Sequence, residues 1–142
     1  MQAATQTTRH EATRIEITRG EGPAVLCGRT QTFDGPDCWA EANRWLFRQS
    51  TTFPRHGGYD KHDFVVTFDN GETYEGRLDC KHASCGGNDL NVASHVRGFQ
   101  EFYAGVRRPA HMSPERYEEF MRHNAHAEEA RDFLANYAVP GR

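Results

Sequence analysis

DFVVTFDNGETYEGRLD, from Asp63 to Asp79, decides the fold, because two β-rich runs meet there at Asn70 and Gly71. A two-residue Asn-Gly turn would set Val66 against Glu75 and Phe64 against Arg77, apolar side chains facing charges. A three-residue loop, Asp69-Asn70-Gly71, with Gly71 left-handed in a bulge, sets Val66 against Tyr74 and Phe64 against Gly76. Leu78 then continues the apolar face. The second register is the one expected.

Outward from this hairpin, Thr13 to Thr18 (TRIEIT) alternates Ile15 and Ile17 with Arg14, Glu16 and Thr18, as a half-buried strand does. Ala24 to Cys27 is a shorter strand candidate. Asp34-Gly35-Pro36-Asp37 can cap a helix whose Trp39, Ala42 and Leu46 form a stripe and which ends near Ser50. Downstream, Asn88 or Asp89 caps a helix with Val92, Val96, Phe99 and Tyr103 on one side, closed by Gly105. Ser113-Pro114-Glu115 starts another, a long helix whose middle, Arg122 to Arg131, is polar enough to be solvated or to bend. The expected architecture is α+β: a small antiparallel sheet with a central β-hairpin, packed against three helices. Residues 1–12 are polar and aperiodic and are expected to be a flexible leader to a single domain spanning 13–142.

Composition narrows the functional classes. The chain has 142 residues and a formal net charge of -3, which argues against a general nucleic-acid binder. The balance is uneven, since residues 56–89 carry seven acids against three bases, whereas both flanking regions are near neutrality. No apolar run approaches the roughly 20 residues of a membrane helix, and the N-terminal stretch lacks a hydrophobic signal segment. A cytoplasmic location is therefore expected, with Cys27, Cys38, Cys80 and Cys85 as reduced thiols.

Cys80-Lys81-His82-Ala83-Ser84-Cys85 is the one metal-like cluster. Its spacing lacks a second ligand pair, so neither a metal nor a cofactor is expected, and the bland alternative is a buried Cys80 in an ordinary loop. Cys80 and His82 also support a small-enzyme alternative, although no phosphate-binding loop, dinucleotide fingerprint or nucleophile elbow accompanies them. His123 and His126 stand three apart in the last helical region, on what reads as one solvated face. Gly57-Gly58-Tyr59-Asp60-Lys61 leads into the hairpin and is either a structural cover of the sheet end or a contact loop with Tyr59 as anchor.

GGYDKHDFVVTFDNGETYEGRLD, with HVRGFQEFYAG and RPAHMSPERYEEF downstream, resembles the large polyvalent protein-associated domains of plasmids, phages and other mobile elements. The likeness runs from Gly57 to Phe120 and rests on the Gly-Tyr-Asp-Lys lead-in, the Asp/Asn-Gly hairpin and the Gly-Arg exit. It implies an accessory role and carries over no catalytic residue. The functional expectation is a non-enzymatic binding protein that inhibits or modulates a host protein or ribonucleoprotein complex, of anti-CRISPR or anti-restriction type. Its expected surface is acidic and comprises Tyr59, Asp60, Lys61, Asp63, Asp69, Glu72 and Glu75. The alternative is a nucleic-acid accessory module using Arg97, Arg107, Arg108 and Arg116.

Overall fold

The computed structural model of the protein describes residues 8–19, 29–52, 60–80 and 91–141. Four strands, β1 (Ala12–Arg19), β2 (Thr30–Asp34), β3 (Asp60–Phe68) and β4 (Thr73–Cys80), form one antiparallel sheet in the order β2-β1-β3-β4. With them are four helices, α1 (Cys38–Thr52), α2 (Val92–Ala104), α3 (Pro114–Arg122) and α4 (Ala127–Asn136). The α+β class is as expected.

The hairpin adopts the register that matches its faces. Val66 lies opposite Tyr74 and Phe64 opposite Gly76. Phe68 N–H donates to the Glu72 carbonyl at 2.9 Å, closing the three-residue loop, and Gly71 takes φ +87° there. A side chain at Gly71 would be strained, because L residues rarely adopt that region. The hairpin is not wholly central, since β3 is interior but β4 is an edge.

Alternation along the strands puts Ile15, Ile17, Phe64, Val66, Phe68 and Leu78 on one face, all 2% exposed or less. Trp39, Ala42 and Leu46 of α1 cover that face, as the stripe predicts, and Val92 and Val96 of α2 complete the core. Removing a side chain such as Leu46 from water contributes about 1.5–3 kcal/mol. β2 was not foreseen. Its residues TQTFD are mostly exposed and lack an apolar alternation, and only pairing with β1 defines it as a strand. The other strand candidate, Ala24 to Cys27, lies outside the described residues.

The last helical region also needs correction, because the single long helix is two. Ser113 caps α3 as expected, its hydroxyl accepting from Arg116 N–H. After Arg122 the chain leaves the helix, and the Asn124 amide donates to the Tyr103 carbonyl at 2.6 Å while its oxygen accepts from His126 N–H. An Asn side chain that satisfies backbone groups competes with helix continuation. The described residues therefore form four helices rather than three.

Ala12 already belongs to β1, and His10 bridges to Tyr137: its N–H donates to the Asn136 carbonyl and its carbonyl accepts from Ala138 N–H. Among the described residues no helix is long and apolar enough to cross a membrane.

Candidate functional site

The helices cover one face of the sheet. The opposite face presents Arg14, Glu16 and Thr18 from β1, Thr32 and Asp34 from β2, Asp63 and Val65 from β3, and Glu75 and Arg77 from β4, as alternation requires. Cross-strand contacts order this surface. Arg14 Nε donates to Asp34 Oδ1 at 2.6 Å across β1 and β2. Arg77 grips Asp63 with two nitrogens, Nε at 2.7 Å from Oδ1 and a terminal nitrogen at 3.4 Å from Oδ2. The Thr18 and Thr30 hydroxyls meet at 2.8 Å.

Such exposed pairs contribute about 0–1 kcal/mol each, so they align side chains more than they hold the fold. Their effect on charge is larger. Among the described side chains of this face, Asp34 and Asp63 form ion pairs with arginines, whereas Glu75 forms none and Glu16 feels Arg14 only at longer range. Glu16 and Glu75 both lie opposite Val65, one on each side, so two strand spacings of about 4.8 Å separate their backbones. The described part of the bare face is thus a surface of cross-strand pairs with two carboxylates outside those pairs, on either side of Val65.

The residues expected to form one acidic surface are divided by the alternation. Asp63 and Glu75 lie on the bare face, and Asp60 and Lys61 are paired through the backbone with Cys80 and Asp79. Tyr59 lies outside the described residues. Glu72 stands beyond the face-defining part of β4, beside Tyr74, Gln100 and Glu129 on the helical side. Asp69 is engaged elsewhere, accepting from His10 Nδ1 at 2.7 Å and from Glu11 N–H at 3.1 Å. The Glu11 N–H first, and His10 second, hold its carboxyl below the ordinary carboxylate range. Asp69 therefore ties the hairpin loop to the start of β1. Asn70 adds a bond from its amide to the Tyr137 hydroxyl at 3.0 Å.

Glu16 is legible in the sequence only as part of the polar side of TRIEIT, because excess charge marks the middle segment alone. In the sequence Asp34 stands as a helix-cap candidate, and its pairing with Arg14 depends on β2.

The arginines of the nucleic-acid alternative are largely engaged in the structure. Arg97 donates to the carbonyls of Val139 and Pro140 and pairs with Glu101 at 3.1 Å, fastening the C-terminal tail to α2. Arg107 approaches the same Glu101 at 4.0 Å, and Arg108 donates to the Met112 carbonyl. Arg116 sits in the exposed first turn of α3.

His123 pairs with Glu119 at 3.0 Å, whereas His126, beyond the helix break, packs edge-on against Tyr103. They do not share a helix face. Cys80 is placed only as the end of β4, and His82 and Cys85 lie outside the described residues. Cys38 is fully buried with its thiol directed at the Ala12 carbonyl, and burial pushes its pKa up, away from the reactive thiolate. Among the described residues, no three His, Cys, Asp or Glu side chains converge on a point that a metal ion would occupy.

No protein-family model, curated protein or solved structure matches this chain.

Proposed function

We propose that the chain is a non-enzymatic binding protein, and that its bare sheet face is the surface that meets a partner. One observation carries this reading: among the described residues, helices cover the sheet on one side only, and the other side is a polar face on which Glu16 and Glu75 form no ion pair. A surface of that kind suits a partner with basic side chains, because unmatched carboxylates steer such a partner and fix its register. The resemblance to mobile-element proteins supplies the biological setting, in which the partner is a host protein or ribonucleoprotein complex. The action is inhibition or modulation, of the anti-CRISPR or anti-restriction kind, and a basic nucleic-acid channel is the chemistry that fits.

The test is capture of the partner from a host lysate with tagged full chain, followed by affinity measurement at two salt concentrations. Glu16→Lys should weaken binding by about tenfold or more, and wild-type affinity should fall as salt rises. Cys80→Ser should bind as wild type. Salt-insensitive binding that survives Glu16→Lys, or binding lost with Cys80→Ser in a folded chain, contradicts the proposal.

A further inference from the structure

β4 is the last strand of the sheet, and among the described residues nothing pairs with its outer edge. Because Phe68 and Glu72 form a hydrogen-bonded pair, antiparallel alternation makes Tyr74, Gly76 and Leu78 bond inward to β3. Thr73, Glu75, Arg77 and Asp79 therefore turn their N–H and C=O groups outward. Such an edge is a template for another strand.

Side-chain charge decides which strand fits. A second copy of β4, laid antiparallel across a two-fold axis, must set outward-bonding residues opposite one another, so only every second register is open. Two of these registers overlap seven of the strand's eight residues. Centred on Arg77, one sets Arg77 against Arg77 of the second copy and Glu75 against its Asp79, opposing like charges directly. Centred on Gly76, the other sets Glu75 against Arg77 of the second copy, and the reverse pair follows by symmetry. A register centred on Glu75 sets Glu75 against itself and shortens the overlap.

We infer that this chain forms a homodimer in which β4 pairs with β4 of a second copy, antiparallel and centred on Gly76. The backbone supplies about eight new hydrogen bonds from the four outward residues of each strand. Each Arg77 guanidinium, already on Asp63 of its own chain, also meets Glu75 of the second copy, a use of its planar array of donors. Gly76 brings no side chain to the centre.

The helical side adds apolar surface. Arg97 and Glu101 of α2 face the cleft lined by Trp39, whereas His95 and Phe99 are about half a helical turn round, on the flank away from α1. His95 lies edge-on to Phe64, whose ring sits beneath Gly76, and Phe99 packs on His95. Phe99 is 45% exposed, so this flank of α2 carries apolar surface open to solvent. The dimer joins two bare faces into one wider sheet and matches Glu75 with Arg77 of the second copy, which leaves Glu16 of each chain to meet the proposed partner, so the dimer goes beyond that reading.

Sedimentation equilibrium of the full chain, from about 1 to 100 µM, reads the association. Wild type should be dimeric in this range. Glu75→Arg alone and Arg77→Glu alone should each weaken self-association by about tenfold or more, since each sets like charges opposite at two symmetric places. An equimolar mixture of the two variants should form heterodimers, because one brings two arginines and the other two glutamates. Glu75→Pro removes an outward N–H without touching the β3 ladder and should also give a monomer. Far-UV circular dichroism checks the folding of every variant. A monomeric wild type, a folded pair of charge variants that does not form heterodimers, or a dimer that persists in folded Glu75→Pro overturns the inference. If Arg77→Glu does not fold, Glu75→Arg and Glu75→Pro decide the matter.

Discussion

The two faces of the sheet are drawn from alternate residues of the same strands, yet they have opposite physical tasks. On the covered face Ile15, Ile17, Phe64 and Val66 are sealed under α1 and α2, where stability comes from apolar area and close fit. On the bare face Arg14, Asp34, Asp63 and Arg77 pair in the open, where water competes for every charge. The comparison teaches that a segment's net charge says little about a surface until alternation has distributed it.

The largest effects should come from the covered face. Leu46→Ala should cost about 2–5 kcal/mol in denaturant unfolding, whereas Thr18→Ala on the bare face should stay within about 0.5 kcal/mol. Equal losses at the two sites would erase the distinction. Gly76 tests the fit of the same face from the other direction. A Cβ there would stand 2.5 Å from Cζ of the Phe64 ring, which is 1% exposed and has little room to withdraw. Gly76→Ala should therefore destabilise by about 1–3 kcal/mol, and Phe64→Leu in the same chain should recover part of the loss. Independent, additive costs would show that the two residues do not collide.

The sequence carried these faces unequally. The hairpin register was legible because a one-residue slip would have set Phe64 and Val66 against charges, a penalty readable from residue types alone. The stripe of Trp39, Ala42 and Leu46 was legible for the same reason. β2 was not, because TQTFD has one apolar residue and gains its identity from the backbone of β1. The break between α3 and α4 was hidden in a polar stretch, where the decisive event is a long-range bond from Asn124 to Tyr103. The acidic middle was visible as composition, but its division among the bare face, the helical side and the His10 contact needed the register and the chain ends together.

Smaller effects sharpen the comparison. His95 is packed between Phe64 and Phe99, and burial lowers its pKa from the ordinary 6.5. The unfolded chain then binds this proton more readily than the folded one. Its contribution is complete above pH 6.5 and is lost as pH falls from there toward the depressed folded value. Stability measured from pH 7.5 downward should decline through that window, and less steeply in His95→Phe. An identical decline in both chains would place the dependence on another group. Smallest of all, Asp63→Asn should cost no more than about 1 kcal/mol, since its pair with Arg77 is about half exposed. A loss above about 2 kcal/mol would mean that the bare face is structural rather than available.

The central claim is that this face meets the partner, and carbodiimide labelling of carboxylates, free and in the captured complex, tests it most directly. Glu16 should label in the free protein and become protected on binding, while Glu118 and Glu128 on α3 and α4 keep their free-state labelling. Protection of Glu118 or Glu128 with Glu16 labelling unchanged would contradict the account and move the contact to the helices.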